Sequence, residues 1–235
     1  MTRIYFCRHG EATGNVNFTF QGSCDNPLTD NGREQCRLLA ERMKDIHLDA
    51  IYTSPLSRAW ETARIINQYH NARIYIDNAF QEVCCGAMEN YDMLDLHKDF
   101  PEDMYLWDHE PWNFKAPMGD DSTAKHFDAM LVALRRLVRN HPDQTLLISS
   151  HGGELRLFNT IAQGLDITHI GEMGWGDNTC LSCAEFEDED LNGRLVMKND
   201  VSHVDKSMIT PDFWLIKDKL KAERDARRAA EGGSK

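Results

Sequence analysis

Long apolar runs are missing from this chain. No stretch approaches the roughly 18 consecutive apolar residues of a membrane-crossing helix, so no membrane partner is expected. Positive charge is scarce too: Lys and Arg number 26 against 38 Asp and Glu, a net charge of −12. A field of that sign repels DNA, RNA and anionic lipid, which excludes nucleic acid as an expected partner. It does not exclude a small anion, because a few arginines turned into a cleft reverse the potential locally. The start of the chain has no charged leader or small-residue cleavage pattern, and seven cysteines is an odd count that favours reduced thiols. A cytoplasmic location is expected. The single C-x-x-C, Cys180 to Cys183, lies in a strand-like run where positions three apart face opposite sides, so neither a metal site nor a redox pair is expected there.

What the 235 residues do contain is enough for a core, with 41% hydrophobic and 27% charged residues. Apolar runs at 3–7, 49–53, 73–76, 145–149, 179–186 and 194–198 read as strands. Between them lie helical patterns: Cys36, Leu39, Ala40 and Met43; a helix to about Tyr69 with Ser54 as N-cap and Pro55 at its first position; Phe127, Met130, Leu131, Leu134 and Val138 behind a Ser122 cap; and Leu155, Phe158, Ile161 and Ala162 ending at Gly164. Strands alternating with amphipathic helices predict an α/β fold of three layers, a mostly parallel central sheet flanked by helices. Residues 1–210 are expected to form one domain, with 86–121 a lid insertion and 211–235 a charged C-terminal helix or tail. That tail, anchored by Trp214 and Leu215, is a candidate contact for a homo-oligomer.

Two of the strands end in chemistry. Arg8-His9-Gly10 follows the first and Ser150-His151-Gly152-Gly153 follows the fourth, the run at 145–149, and ligands of such sheets bind beyond the carboxyl ends of strands. Arg8 and Arg58 are suited to clamp phosphoryl oxygens with guanidinium forks. A neutral imidazole attacks through one nitrogen when a backbone carbonyl holds the other as N–H, and His9 beside a glycine is placed for that. Read alone, Arg-His-Gly fits a satisfied buried histidine better than a nucleophile, and Gly152 and Gly153 read as permitting a sharp turn.

Taken together, Arg8-His9-Gly10-Glu11-Ala12-Thr13-Gly14-Asn15, Pro27-Leu28-Thr29-Asp30-Asn31-Gly32, Ser54-Pro55-Leu56-Ser57-Arg58-Ala59 with Thr62-Ala63, Glu82, Gly86 and Ser150-His151-Gly152-Gly153 resemble the histidine phosphatase superfamily, also called phosphoglycerate mutase-like. Asp177-Asn178-Thr179 and Asn199-Asp200 with His203 are similar to its closing strands. The resemblance implies His9 as phosphoryl acceptor, Arg8, Arg58 and His151 as oxygen ligands, and Glu82 as the proton donor that later activates water, with no metal and no organic cofactor. Glu89 competes with Glu82 for that role. Asn15 is expected to donate to the phosphoryl group. Gln21 and Gly22 lie where the family's loop approaches substrate, where plain turn residues also occur.

A small phosphorylated metabolite is the expected partner, and hydrolysis the expected reaction. The two alternatives are a phosphoglycerate-type mutase and a non-catalytic phosphate-binding scaffold. A mutase must hold a second phosphate, yet the lid is acidic and holds only two lysines; Arg64 is the one extra cation nearby. Tyr91, Phe100, Tyr105, Trp107, Trp112 and Phe114 of the lid either stack on a substrate ring or form a satellite core. The chain departs from the family at Asp121 before Ser122, where glutamate is usual, and at Ala129, where arginine is frequent.

Overall fold

The computed structural model describes residues 1–211 and 213–232; the side chains at 214 and 227–232 fall outside that description. The chain runs β1 (Thr2–Arg8), α1 (Thr13–Val16), α2 (Asp30–Met43), β2 (Ala50–Thr53), α3 (Ser57–Asn67), β3 (Arg73–Ile76), α4 (Leu96–Asp99), α5 (Pro101–His109), α6 (Thr123–Asn140), β4 (Thr145–Ser150), α7 (Gly152–Ile161), β5 (Leu181–Phe186), β6 (Gly193–Asp200) and α8 (Phe213–Gly232). The sheet order is β3-β2-β4-β1-β5-β6. The first four strands in this order are parallel to one another, while β5 runs antiparallel to both β1 and β6. The result is an α/β sheet, mixed and mostly parallel, with helices on both faces.

Alternation along the strands sorts the two faces. Ile4, Phe6, Leu146 and Ile148 join Leu134 of α6 and Phe158 of α7 in one buried cluster. Cys7, Ile51 and Leu147 join Leu39 and Met43 of α2 and Ile66 of α3 in the other. Each such side chain, fully buried, contributes roughly 1.5–3 kcal/mol. Cys180 belongs to the first cluster, whereas Cys183 lies against Tyr5, which packs on the second. Burial pushes their thiols up to about 12 and about 11.

Register decides what the sheet edge presents. Arg8 lies opposite Ser150, and Thr53 opposite Ser149, so His9, His151 and Ser54 leave three adjacent strands at one level. Helix α3 departs from the expected start: Ser54 does not cap it, since the helix begins at Ser57 with Leu56 as N-cap. The Ser54 hydroxyl instead accepts the Leu56 N–H and bonds His151. Ser122 does cap α6, accepting from the Lys125 N–H.

The segment 86–121 folds over a satellite cluster of Phe20, Val83, Cys85, Met88, Leu96, Met104 and Phe114. Helix α8 docks on it through Arg224, which donates to Asp95 at 2.8 Å. Leu215 is 85% exposed and anchors nothing; buried Phe213 takes that part. Trp214 and the last three residues lie outside the described residues in this respect. No helix among the described residues is long and apolar enough to cross a membrane.

Candidate active site

Both ring nitrogens of His9 are committed. Nδ1 lies 2.7 Å from the Gly10 carbonyl oxygen, and Nε2 lies 3.2 Å from the Arg58 Nε. A guanidinium can only donate, so Nε2 carries the lone pair and Nδ1 the hydrogen. Burial, then the charges of Arg58 and Arg8, lower the His9 pKa well below the ordinary imidazole value. The ring is a neutral base with its free nitrogen turned to a cation.

Arg58 is 1% exposed, a consequence of its place in the first turn of α3, under the loop that precedes α2. Besides His9 it donates to the carbonyls of Cys24 at 2.6 Å and Gly22 at 2.9 Å. Burial lowers its pKa to about 10, against the opposing charge of Glu82. Arg8, the last residue of β1, is held by the Gly176 carbonyl at 2.6 Å through one terminal nitrogen, while its buried Nε has no hydrogen-bond partner.

His151 caps the entry to α7 and is wholly buried, its ring 5.2 Å from that of His9. Its Nε2 bonds the Ser54 hydroxyl at 2.7 Å, and its buried Nδ1 has no partner. The surroundings do not favour an imidazolium: burial, then Arg58, lowers its pKa well below the ordinary value. Asn15 is fixed by its amide oxygen, which accepts from the Ala12 N–H at 2.9 Å.

Glu82 reaches the N-terminus of α7, where its carboxylate accepts the Gly153 N–H at 3.1 Å and its own neighbour's, Val83, at 3.2 Å. Gly153 proves to be more than a turn residue: a Cβ there would stand 2.4 Å from a Glu82 carboxylate oxygen. Glu89, the competitor, is engaged elsewhere. It accepts from the Ser23 N–H and hydroxyl and the Cys85 N–H, tying the lid to the loop at 22–24.

A cleft of about 270 Å³ opens over this group, and Arg8, His9, Asn15, Gln21, Gly22, Arg58 and Glu82 all line it. Gln21 has a buried, unpartnered side-chain oxygen, and Gly22 sits at φ +50° with its carbonyl on Arg58. His151 stands behind His9, outside the lining. Sequence reasoning missed Ser54 as the His151 partner, Gly176 as the Arg8 brace, and Asn178, whose amide donates to the His9 carbonyl at 3.1 Å. Asn178 had a signal in Asp177-Asn178-Thr179 and Ser54 in Ser54-Pro55-Leu56, while Gly176 had none. Arg64 is exposed and stacked on Trp60 at 4.8 Å, away from the cleft.

A second charged group lies behind Glu82. His126 of α6 bonds Glu154 of α7 at 2.6 Å and Asp121 at 2.9 Å, and Asp121 accepts the Cys84 N–H at 2.9 Å. The segment 86–121 is thereby joined to helix α7, whose N-terminus holds Glu82. Burial opposes charge on His126, but the two carboxylates outweigh it and raise its pKa to about 10. Burial raises buried Glu154 to about 7 against the pull of His126. Both folded values exceed the ordinary 6.5 and 4.5, so the folded protein binds more protons and these contributions are lost as pH rises. Glu154's share fades between 4.5 and 7, and that of His126 between 6.5 and 10. Melting temperature is expected to fall from neutral pH toward pH 10, and His126→Gln with Glu154→Gln to flatten that fall in a calorimetric pH series.

Known proteins resemble the chain over most of its length. The family model for the histidine phosphatase superfamily (branch 1) matches residues 4–200. Phosphoserine phosphatase 1 of Hydrogenobacter thermophilus is 28% identical over 188 residues, 80% of this chain and 88% of that protein. Uncharacterized phosphatase PhoE of Bacillus subtilis is 30% identical over 193 residues, 80% and 91% of the two chains. The solved structure of Bacillus stearothermophilus YhfR superposes with a TM-score of 0.80 at 27% identity, covering 87% of this chain and 100% of that one.

Proposed function

Because the chain belongs to branch 1 of the histidine phosphatase superfamily, we propose that it hydrolyses a small phosphomonoester through a phosphohistidine on His9, without a metal ion or organic cofactor. The observation that carries this reading is the double commitment of the His9 ring, Nδ1 to the Gly10 carbonyl and Nε2 to Arg58. It leaves the attacking lone pair beside the guanidinium that would receive the phosphoryl oxygens.

In the first half-reaction His9 Nε2 bonds to phosphorus as the ester P–O bond breaks, and the departing oxygen takes a proton from the Glu82 carboxyl. In the second, the Glu82 carboxylate takes a proton from water. The water oxygen bonds to phosphorus, the P–N bond breaks, and neutral His9 and inorganic phosphate result. Arg8, Arg58 and the Asn15 amide donate to the equatorial oxygens, where transferred charge accumulates. With the Ser54 proton given to His151 Nε2, the ring hydrogen of His151 sits on its buried Nδ1, a donor held behind His9. All seven cysteines are free thiols, which supports a reducing, cytoplasmic setting.

Hydrolysis is favoured over phosphoryl return because, among the described residues, Arg8 and Arg58 are the only Lys or Arg lining the cleft. A second phosphate has no counter-charge there. The test is a screen of sugar phosphates, nucleotides, phosphoglycerates and aryl phosphates with acid quench. Expected are phosphate release, an acid-labile label on the protein and full activity after chelation. Isomerised phosphoglycerate would instead indicate a mutase, and phosphate binding with neither turnover nor label a scaffold.

A further inference from the structure

The far side of the cleft is built differently from its floor. Phe20 meets Trp107 edge to face at 4.9 Å, and Trp107 stacks on Trp175 at 5.7 Å and 24°. Trp175 is 49% exposed, yet the buried Arg156 guanidinium holds it from behind at 4.4 Å from the ring centroid. On the opposite side Phe18 faces Phe213 at 6.0 Å. All five aromatic side chains line the cleft, and apart from the floor group its charged lining is one acidic residue, Asp177.

Phe18 is at φ +52°, a left-handed conformation that is costly for a bulky side chain and is kept where surroundings over-determine it. The lid does so here: the Met93 N–H donates to the Phe18 carbonyl at 3.0 Å, and the Phe20 carbonyl accepts from Asn90 at 2.7 Å. Phe213 comes from beyond the matched family segment, which ends at residue 200. The chain is led back to the site by Thr210, whose hydroxyl bonds Glu11 at 2.6 Å and Asn178 at 3.2 Å, and α8 is fastened to the lid by Arg224. A strained loop and an added helix thus supply facing rings.

Resting on the phosphatase reading above, we infer that this cleft selects monoesters whose leaving alcohol is uncharged and carries an apolar ring, with Phe18, Phe213 and Trp107 as the specificity-determining residues. Rings of this kind gain by offset or edge contact with a bound ring, whereas a carboxylate or second phosphate on the leaving group would be desolvated without a cation to meet it. Size agrees. A cavity of about 150 Å³ accepts benzene, so about 270 Å³ holds one ring together with the phosphoryl group.

The experiment uses the full chain and alkyl esters only, so that leaving-group basicity does not set the ranking: 2-phenylethyl phosphate, ethyl phosphate, phosphoserine and 3-phosphoglycerate. The phenylethyl ester is expected to exceed each of the others at least about tenfold in kcat/KM, chiefly through KM. Phe213→Ala is expected to cut the phenylethyl-to-ethyl ratio about tenfold. Phe18→Gly, which suits a positive φ, should do the same and guards against a folding defect in the first variant. Equal or better turnover of either anionic ester, or an unchanged ratio in both variants, overturns the inference. Calorimetric binding of phenylethylphosphonate against ethylphosphonate reads the pocket without turnover. Tighter binding of the first with no turnover of any ester would uphold the ring site and remove the phosphatase reading instead.

Discussion

His9→Ala is expected to lower steady phosphate release by roughly 10⁴- to 10⁶-fold, the loss seen when a nucleophile acting as part of a unit is removed, and to leave no acid-labile phosphate on the protein. No other group can take its place. His151 is the nearest imidazole, but it is wholly buried, outside the cleft lining, and bonded through Nε2 to Ser54. Cys36, close to Thr62 and Gly10, has its thiol pushed up to about 12 by burial and is no nucleophile at neutral pH. The variant should still bind inorganic phosphate through Arg8 and Arg58, because their own braces at Gly176, Gly22 and Cys24 do not involve His9. Rapid acid quench with labelled substrate, alongside phosphate binding by calorimetry, separates lost chemistry from lost binding. A His9→Ala protein that still formed an acid-labile adduct would sink the covalent assignment.

The strand ends were readable because short apolar runs closed by Arg8-His9-Gly10 and Ser150-His151-Gly152 have few alternatives in an alternating α/β pattern. Direction was less so: the β5–β6 hairpin turns over residues 187–192, and nothing in the strand runs themselves distinguishes a hairpin from a crossover. Ser54-Pro55 misled for a physical reason. A hydroxyl that looks like a cap in sequence had another use at the end of the neighbouring strand, on His151. The lid aromatics sort by packing: Phe114 goes into the satellite core, Trp107 packs on that core and also lines the cleft, and Trp112 packs on the main core. Composition cannot make that division, since it depends on which side of α5 meets Phe20. The Asp121–His126–Glu154 group was illegible altogether, its members carried by three elements with no motif spacing between them.

Glu82→Gln is expected to lower kcat/KM, which reads the transfer to His9 and not the later attack of water, by roughly 10²- to 10⁴-fold for alkyl phosphates, the usual worth of a positioned proton donor, and by less than about tenfold for nitrophenyl phosphate. The difference arises because a good leaving group departs without its proton, and glutamine keeps the size of the side chain while losing the acid. Position matters as much as chemistry, and Gly153 controls it: the added methyl of Gly153→Ala would stand 2.4 Å from one Glu82 oxygen and 3.2 Å from its carboxyl carbon. Alanine therefore moves the carboxylate away from the departing oxygen, and a smaller loss with the same dependence on leaving group is expected. The pair closes into a cycle. If Gly153 acts only by seating Glu82, Gly153→Ala costs nothing further in the Glu82→Gln background; additive losses would mean that the glycine serves helix α7 and not the proton donor.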